Sequence, residues 1–299
     1  MTPRLFAALF WLMTLSTDPS DLNRQARNAF RREEFSAAGE LFAAAVAAGA
    51  SRPEDAYNAA CAFARTGDRD AAFRFLDLAV ARGYANAEHL LKDSDLSSLT
   101  ADPRWAPAVE AVRRREEERL AALGDRVLHD ELLRMTADDQ AARAALGDVP
   151  TLEQAERVAE VDGRNLARFR DIVAQRGWPG RALVGADGAQ AAFLLAQHAD
   201  SDPVFQRLCL TRLGEALARG DAAPSQLAYL TDRVRMAAGE PQVYGTQFRE
   251  VAGRLEPFPI EDAEHVDRRR AEVGLGPLAE YAERLTGGAP KERKEKDER

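Results

Sequence analysis

Two short polar motifs, QHAD and YGTQ, interrupt the apolar helical sequence in the second half of this chain. His198 of QHAD is the natural general acid or base, because an imidazole ordinarily titrates closer to neutrality than any other side chain. A carboxylate, either Asp200 or Asp162, would orient the imidazole. We therefore predict a catalytic group of His198, Asp200 and Tyr244. The competing interpretation is a core histidine surrounded by a polar network that only satisfies its hydrogen bonds.

Further polar side chains are predicted to line the same site and to bind a ligand. They stand within or beside apolar helical segments, where a buried polar group requires a hydrogen-bond partner. They are Asp162, Asn165, Gln197, Asp232, Arg233, Gln242, Thr246 and Gln247. Because these residues come from distant segments of the chain, we expect one shared polar pocket in which a small molecule binds.

The sequence indicates neither a metal ion nor an organic cofactor. Two H-x-D pairs begin at His198 and His265, but side chains two residues apart do not face the same side of a helix. The metal-binding spacings H-E-x-x-H and C-x-x-C do not occur in the sequence. Gly180, Gly185 and Gly188 precede a helix without the Gly-Lys-Ser/Thr of a phosphate loop, so we interpret them as loop residues.

The elements that must position these residues are predicted to be helices. Alanine, leucine, arginine and glutamate dominate the sequence, and all four are good helix formers. The content of 45% apolar and 30% charged residues is ordinary for a soluble globular protein. We therefore predict an all-α protein in two parts. Cys61 and Cys209 lie in apolar helical contexts, which predicts two buried thiols.

Local signals place several helix boundaries in the second part. Thr151 and Gln154 have the spacing of a capping box at the start of a helix. Asp187 is predicted to cap a helix that starts at Gly188. A later helix is predicted over roughly 260–273, after the break that contains YGTQ.

The second half of the chain resembles a known domain family. The segments GWP, AAFLLAQHAD, YLTDRV and PQVYGTQF, in that order, are similar to an all-helical bacterial domain known only as a domain of unknown function. The resemblance covers roughly Asp130 to Leu285, and QHAD and YGTQ are its most specific parts. It implies a domain boundary and a set of positions, but no activity. We place this helical domain at residues 113–286.

The first part contains a 34-residue repeat, in which residues 55–83 follow the pattern of residues 21–49. The second copy, AYNAACAFARTGDRDAAFRFLDLAVARGY, resembles a tetratricopeptide repeat. Small residues such as Ala60 and Ala72 let the two helices of a repeat approach closely. A degenerate third unit, with DSDLSSLTADPRW as its closing element, extends the repeat unit over residues 21–112. The resemblance implies a surface for a protein partner, or docking within the chain.

The ends of the chain and its charge limit the remaining function classes. Met1 starts a basic segment followed by the apolar run LFAALFWLMTL, which predicts a signal peptide over residues 1–16 and an exported or periplasmic protein. The alternative is an N-terminal helix of a cytoplasmic protein. The polar sequence of residues 287–299 predicts a disordered charged tail. A net charge of −8 argues against nucleic-acid binding, and no membrane contact is expected after removal of the signal.

Two functions from different classes follow from these observations. The first is a protein-interaction or adaptor protein with the repeat unit as its partner surface and a polar pocket in the helical domain. The alternative is a small-molecule-binding or hydrolytic enzyme that uses His198 as general acid or base. A fully paired polar network would favour the first function, and an open cleft with an unpaired His198 would favour the second.

Overall fold

The computed structural model describes residues 18–147, 149–251 and 253–286. Over these ranges the chain is almost entirely helical, with one short β-hairpin, and this confirms the predicted all-α fold class. The chain divides into two compact units, the first ending at Ala122 and the second beginning at Leu123. Each unit has its own hydrophobic core, so each is described separately.

The predictions for the chain ends concern residues that the structure does not cover. The signal peptide over residues 1–16 and the charged tail over residues 287–299 both lie outside the described ranges. Among the helices that are described, none combines the length and the apolar composition that crossing a lipid bilayer would require.

The first unit consists of two helical hairpins followed by shorter elements. Its elements are α1 (Pro19–Arg31), α2 (Phe35–Ala47), α3 (Pro53–Thr66), α4 (Arg69–Ala81), α5 (Ala87–Lys92), a 3-10 turn (Ser94–Leu99) and α6 (Trp105–Ala121). Helix α1 packs on α2, α2 on α3, and α3 on α4. Ala38, Ala60 and Ala72 are fully buried, so the helices approach closely, and Leu76 fills space in the larger core cluster. Gly67 ends α3 in the left-handed conformation, with φ of 82°.

The second unit contains the longest helices of the described chain. Its elements are α7 (Arg126–Ala144), α8 (Leu152–Arg176), α9 (Arg181–Gln197), α10 (Pro203–Ala218), α11 (Pro224–Ala237), β1 (Phe248–Val251), β2 (Arg254–Pro257), α12 (Val266–Glu272) and α13 (Leu278–Leu285). Helix α7 packs against both α8 and α9, and α10 packs against α11. The apolar α9 lies in the core, which also contains Leu132, Phe169, Val184 and Leu213.

The start of α9 differs from the sequence prediction. The helix begins at Arg181, not at Gly188, so the prediction that Asp187 caps its start was wrong. A kink at Gly185, with φ of 73° and ψ of 176°, divides α9 after its first turn. The true cap comes from Asp221, whose Oδ1 accepts a hydrogen bond of 2.7 Å from the N–H of Ala182. The sequence signal at Asp187 therefore marks the kink inside the helix.

Two other local predictions had opposite outcomes. The capping box is confirmed, because the N–H of Gln154 donates to Thr151 Oγ1 and the N–H of Thr151 donates to Gln154 Oε1. The helix predicted over 260–273 was wrong at its start. The antiparallel β1–β2 hairpin ends before this stretch, at Pro257. A 3-10 turn then forms at Ala263–His265, and α12 begins only at Val266.

Candidate functional site

The QHAD motif lies at the end of α9, where His198 occupies the position after the last helical residue. The imidazole is mostly buried, with 17% of the side chain exposed. Its Nδ1 lies 2.9 Å from each carboxylate oxygen of Asp139 on α7. An ionised carboxylate only accepts hydrogen bonds, so Nδ1 carries the proton and Nε2 of the neutral ring keeps its lone pair. No described residue forms a hydrogen bond with Nε2.

Asp139 is held rigidly and is almost fully buried, at 1% side-chain exposure. It accepts hydrogen bonds from Gln140 Nε2 at 2.8 Å and from a terminal nitrogen of Arg143 at 2.5 Å. The other terminal nitrogen of Arg143 contacts both carboxylate oxygens of Asp162, at 3.0 and 3.1 Å. The guanidinium thus compensates the buried carboxylate, which would otherwise be costly to bury. Hydrogen bonds thus connect Asp162 to His198 through Arg143 and Asp139.

Asp200, the second residue after His198, is bound by an arginine. Arg233 on α11 donates from Nε and from a terminal nitrogen to the two oxygens of Asp200, at 2.9 and 2.6 Å, which is the strong bidentate geometry. Gln206 adds a hydrogen bond of 3.0 Å to Asp200 Oδ1. Burial alone raises the pKa of Asp200, but the hydrogen bond and charge of Arg233 lower it below its ordinary value. Asp200 is therefore held as a carboxylate.

Asp232 holds the YGTQ segment in place through hydrogen bonds to its buried carboxylate. This residue has no solvent exposure, and its Oδ1 accepts hydrogen bonds from the backbone N–H groups of Val243 and Tyr244 at 2.7 and 3.0 Å. Its Oδ2 accepts from both the N–H and the hydroxyl of Thr246, each at 2.9 Å. Four donors therefore converge on one buried carboxylate, and this leaves Asp232 and Thr246 without an evident role in binding a ligand.

Gln242 is likewise fully buried, and its carboxamide group is hydrogen-bonded to the backbone. Its Nε2 donates to the carbonyls of Gln247 and Phe258, each at 3.0 Å, and its Oε1 accepts from the N–H of Gln247 at 2.7 Å. The turn also needs glycine at position 245, where φ is 63° and an added Cβ would lie 2.7 Å from Ile260 Cδ1. In this segment it is the side chain of Gln247 that connects to Asp200 of QHAD, because its Oε1 accepts a 3.2 Å hydrogen bond from Arg233.

The YGTQ turn is also clamped by an arginine that the sequence analysis did not single out. Arg270 on α12 is 1% exposed and donates to the carbonyls of Tyr244 and Gly276, each at 2.7 Å. Its guanidinium lies 5.1 Å from the ring centre of Tyr281. Burial lowers the pKa of Arg270, which fits a charge that is solvated by carbonyl groups.

The structure brings together some of the predicted site residues and separates others. His198, Asp200, Asp162, Arg233 and Gln247 form one connected cluster, and charge interactions link Arg233 to Asp162 and Asp200 to His198. This cluster lies within the second unit and is half-exposed at its outer side, where 55% of the Asp200 side chain is accessible.

Three predicted residues have other roles. Asn165 on α8 is buried and donates to the carbonyl of Met135, so it joins two helices. Gln197 takes part through its backbone carbonyl, which accepts from Gln206. Burial, followed by the charge of Asp232, raises the pKa of Tyr244. No described contact connects the Tyr244 hydroxyl with His198.

The sequence analysis missed Asp139, Arg143 and Gln206. Asp139 and Arg143 are four residues apart in the segment ADDQAARAAL, a spacing that is typical of a solvated helix face. Gln206 is fully buried, and its Oε1 has no hydrogen-bond partner within the described residues. In the sequence, Gln206 is one of several polar residues of the amphipathic α10, and periodicity alone does not separate it from the exposed polar positions.

The arrangement supports proton transfer at Nε2 of His198. Asp139 fixes the tautomer and the ring orientation, and it would stabilise the imidazolium that forms when Nε2 takes a proton. Around this pair, the guanidinium groups of Arg143 and Arg233 are each already bound to a carboxylate. The cluster therefore presents polar hydrogen-bonding groups beside the imidazole without a large excess of positive charge.

Comparison with known proteins extends these observations to the level of a family. Neither the curated proteins nor the solved structures contain a significant match to the chain. One family model matches residues 126–290, a range that includes QHAD, YGTQ, Asp139 and Arg143. Since this match covers more than half of the 299 residues, the chain belongs to a family of unknown function, DUF6624.

Proposed function

We propose that the second unit binds a small polar molecule and acts on it by acid–base chemistry through His198. The observation that carries this proposal is the contact of Nδ1 with the buried Asp139, at 2.9 Å to both oxygens, combined with an Nε2 that has no described partner. Nε2 is not one of the buried atoms of the described residues that lack a hydrogen-bond partner, so solvent, and therefore a substrate, can reach its lone pair.

The reaction class that fits this pair best is hydrolysis. Nε2 would remove a proton from water as the water oxygen attacks the substrate, and Asp139 would stabilise the resulting imidazolium. The same nitrogen would then give the proton to the leaving group, which restores the neutral ring. A positioned acid–base group of this kind contributes about 10²–10⁴-fold to a rate. Arg233 and Gln247, together with Asp162, would bind the polar groups of the substrate.

This assignment gives the remaining candidate residues supporting roles. Asp232, Gln242 and Thr246 hold the YGTQ turn so that Gln247 faces Arg233. Asp200 binds the terminal nitrogen of Arg233 that does not contact Gln247, and so fixes the guanidinium. The charged groups that act on the Tyr244 hydroxyl are those of Asp232, Glu272 and Arg269, so Tyr244 is not part of the proposed acid–base pair.

The test compares His198→Ala and Asp139→Asn with a matched histidine control. His265→Ala removes an exposed histidine of the same unit, whose Nδ1 is bonded to Asp262. Nitrogen-15 NMR of the wild-type imidazole should show Nδ1 protonated and Nε2 free at neutral pH. A panel of small-molecule esters, amides and phosphomonoesters should then reveal a hydrolysis that both site variants lower at least about 100-fold, in line with the usual contribution of an acid–base group, while the control does not.

Two results would contradict the proposal. One is a wild-type His198 that is protonated on Nε2 instead of Nδ1. The other is a free energy of unfolding that falls by about 1–3 kcal/mol in His198→Ala with no substrate turned over by the wild type, since such a loss is that of a buried network partner.

A second candidate function belongs to the first unit, for which we propose a tetratricopeptide-like surface that binds a protein partner. A cavity of about 360 Å³ supports it, because the lining residues come from helices of successive repeats, with Phe30 on α1, Asn58 on α3 and His89 on α5. A photo-crosslinking residue at Asn58 should capture such a partner, and one at the exposed Asp77 on α4 should not. We also propose export, which the mass of the mature protein would test directly.

A further inference from the structure

The turn that carries His198 is held on both sides by one side chain from the next helix. Gln206 on α10 has no solvent exposure, and its Nε2 lies 3.3 and 3.1 Å from the carbonyl oxygens of Ala196 and Gln197. The same nitrogen lies 3.0 Å from Oδ1 of Asp200. Because all three of these neighbours are acceptors, the amide nitrogen and not the oxygen must face them. The hydrogen bonds therefore enclose His198, with two before it in the sequence and one after it.

The two carbonyl groups belong to the end of α9. The last carbonyls of a helix have no partner one turn further along the helix, so they need donors from elsewhere. One N–H of Gln206 is shared between this pair of carbonyls, a geometry that is common at helix ends, and the other N–H is directed to Asp200. Gln206 thus fixes the end of α9 at the point where the His198 side chain leaves the backbone.

The third hydrogen bond connects Gln206 to the rest of the cluster. Oδ1 of Asp200 accepts both from Gln206 and from Nε of Arg233, which lies 2.9 Å away. Arg233 in turn donates to Gln247 of the YGTQ segment. A displacement of Asp200 would therefore move the guanidinium of Arg233 and disturb its contact with Gln247.

The carboxamide oxygen of Gln206 gives an independent reason to assign this residue a role beyond packing. Oε1 is buried and has no hydrogen-bond partner among the described residues. An unmet buried acceptor costs free energy, which a leucine or methionine at this position would avoid. Side chains that break the rules of packing in this way occur mainly at functional sites, where their other contacts are needed.

We propose that Gln206 is a positioning residue, which holds the QHAD turn so that the His198 imidazole keeps its contact with Asp139. This role rests on the acid–base function proposed above for His198. A catalytic group has to be held within about 0.5 Å of its working position by the residues around it. Because His198 lies after the last helical residue of α9, the packing of that helix does not by itself fix the ring. Gln206 is fully buried, so it acts through His198 and not on a substrate.

The test replaces Gln206 with methionine, which keeps the length of the side chain but removes the donor. Gln226→Met is the matched control, because Gln226 is a buried glutamine of the same unit whose carboxamide binds Gln190 and the N–H of Ala223. In nitrogen-15 NMR at neutral pH, the neutral His198 ring of the wild type and of the control should be a single tautomer with Nδ1 protonated. In Gln206→Met the Nε2-protonated tautomer should rise to at least about 10% of the population, as expected when the hydrogen bond to Asp139 is weakened.

The same comparison applies to any hydrolysis that the substrate panel reveals. We expect kcat to fall at least about tenfold in Gln206→Met and to stay within about twofold in Gln226→Met, because a displacement of about 1 Å at a reacting group costs up to about 100-fold. Gln206→Asn repeats both measurements with a smaller change, in case the methionine variant does not fold. Its amide is withdrawn by one methylene, so it cannot reach all three acceptors.

Two results would overturn the proposal. One is a His198 ring that remains a single Nδ1-protonated tautomer in the Gln206 variants, because Gln206 would then only cap α9. The other is an equal loss of kcat in Gln206→Met and Gln226→Met, which would be a general effect of destabilisation. A wild type that hydrolyses nothing would contradict the acid–base function instead, and the tautomer measurement would still decide whether Gln206 positions the ring.

Discussion

The four hydrogen bonds that converge on Asp232 allow a quantitative expectation for the YGTQ segment. In Asp232→Ala, the N–H groups of Val243, Tyr244 and Thr246 lose their acceptor while they remain largely buried. Each unmet buried donor costs about 1–3 kcal/mol, so three of them would cost up to about 9 kcal/mol in a rigid turn. The turn can open to water, which limits the loss. We expect a decrease of about 3–5 kcal/mol in the free energy of unfolding of this unit, which is below the sum for three donors held in a rigid turn.

A graded substitution tests whether the carboxylate oxygens, not the side-chain volume, provide this stability. Asp232→Asn keeps the oxygen that accepts from Val243 and Tyr244 but replaces the one that accepts from Thr246 with a donor. We therefore expect about half of the loss, roughly 2 kcal/mol. Asp138→Asn is the control, because Asp138 is an exposed aspartate of the same unit that pairs with Arg164, and it should change stability by less than about 0.5 kcal/mol.

Native-state hydrogen exchange measured by NMR gives the most direct readout. The amides of Val243, Tyr244 and Thr246 should be protected in the wild type and should exchange much faster in Asp232→Ala, while amides in the middle of α8 change less. Urea unfolding in a background with Trp11→Phe and Trp105→Phe, followed by the fluorescence of Trp178, gives the value for this unit, because Trp178 is 7% exposed in its core. Unchanged exchange of the three amides in Asp232→Ala would refute the reasoning, because it would mean that the carboxylate does not hold the turn.

Three further expectations concern other parts of the chain. Gly180→Ala should destabilise the protein by about 1–3 kcal/mol, because its Cβ would lie 2.0 Å from the carboxylate that caps α9. Gly163→Ala, in the open face of α8, should stabilise it by about 0.5–1 kcal/mol. Urea titrations of the two variants would show both changes. The folded state lowers the pKa of Asp200, so the stability that this carboxylate contributes should be present above its unfolded-state pKa of about 3.9 and be lost as pH falls through the lower folded pKa. The difference in the free energy of unfolding between wild type and Asp200→Asn should therefore shrink in that acid range. Burial raises the pKa of Cys209 to about 12 and also raises that of Cys61, so a thiol reagent at pH 8 should label neither cysteine in the native protein and both in urea.

The helical architecture was predictable because several independent signals agreed. Helix-forming composition, the capping box at Thr151 and the small residues at Ala60 and Ala72 all favoured the elements that the structure contains. The β1–β2 hairpin was not predictable in the same way. Its strands are only four residues each. FREV has two adjacent charged residues and no alternation, and the alternation of charged and apolar residues in RLEP is too short to distinguish a strand from a loop.

The candidate site was predictable only in part, since a sequence pattern shows which side chains are unusual but not which ones meet. QHAD and YGTQ stood out because polar residues followed apolar helical segments. The partner of His198 did not, because Asp139 and Arg143 have the spacing of an ordinary surface pair and become a buried pair only when α9 packs on α7. Likewise, the buried state of Asp232 depends on the turn that covers it, and that turn is formed by residues more than ten positions later.

The clamp formed by Arg270 has a consequence for the order in which this protein acquires its structure during synthesis. Its contacts with the carbonyls of Tyr244 and Gly276 join the YGTQ turn to a stretch of chain that the ribosome makes after it. The earlier helices α7 to α11 can collapse onto one another first, as the amino-terminal parts of nascent chains generally do. Until Arg270 is available, the turn lacks a charged side chain that anchors it. A chain that ended at Ile260 and had left the ribosome would therefore contain His198 and Asp139 together with a YGTQ segment that is still open to proteases and chaperones.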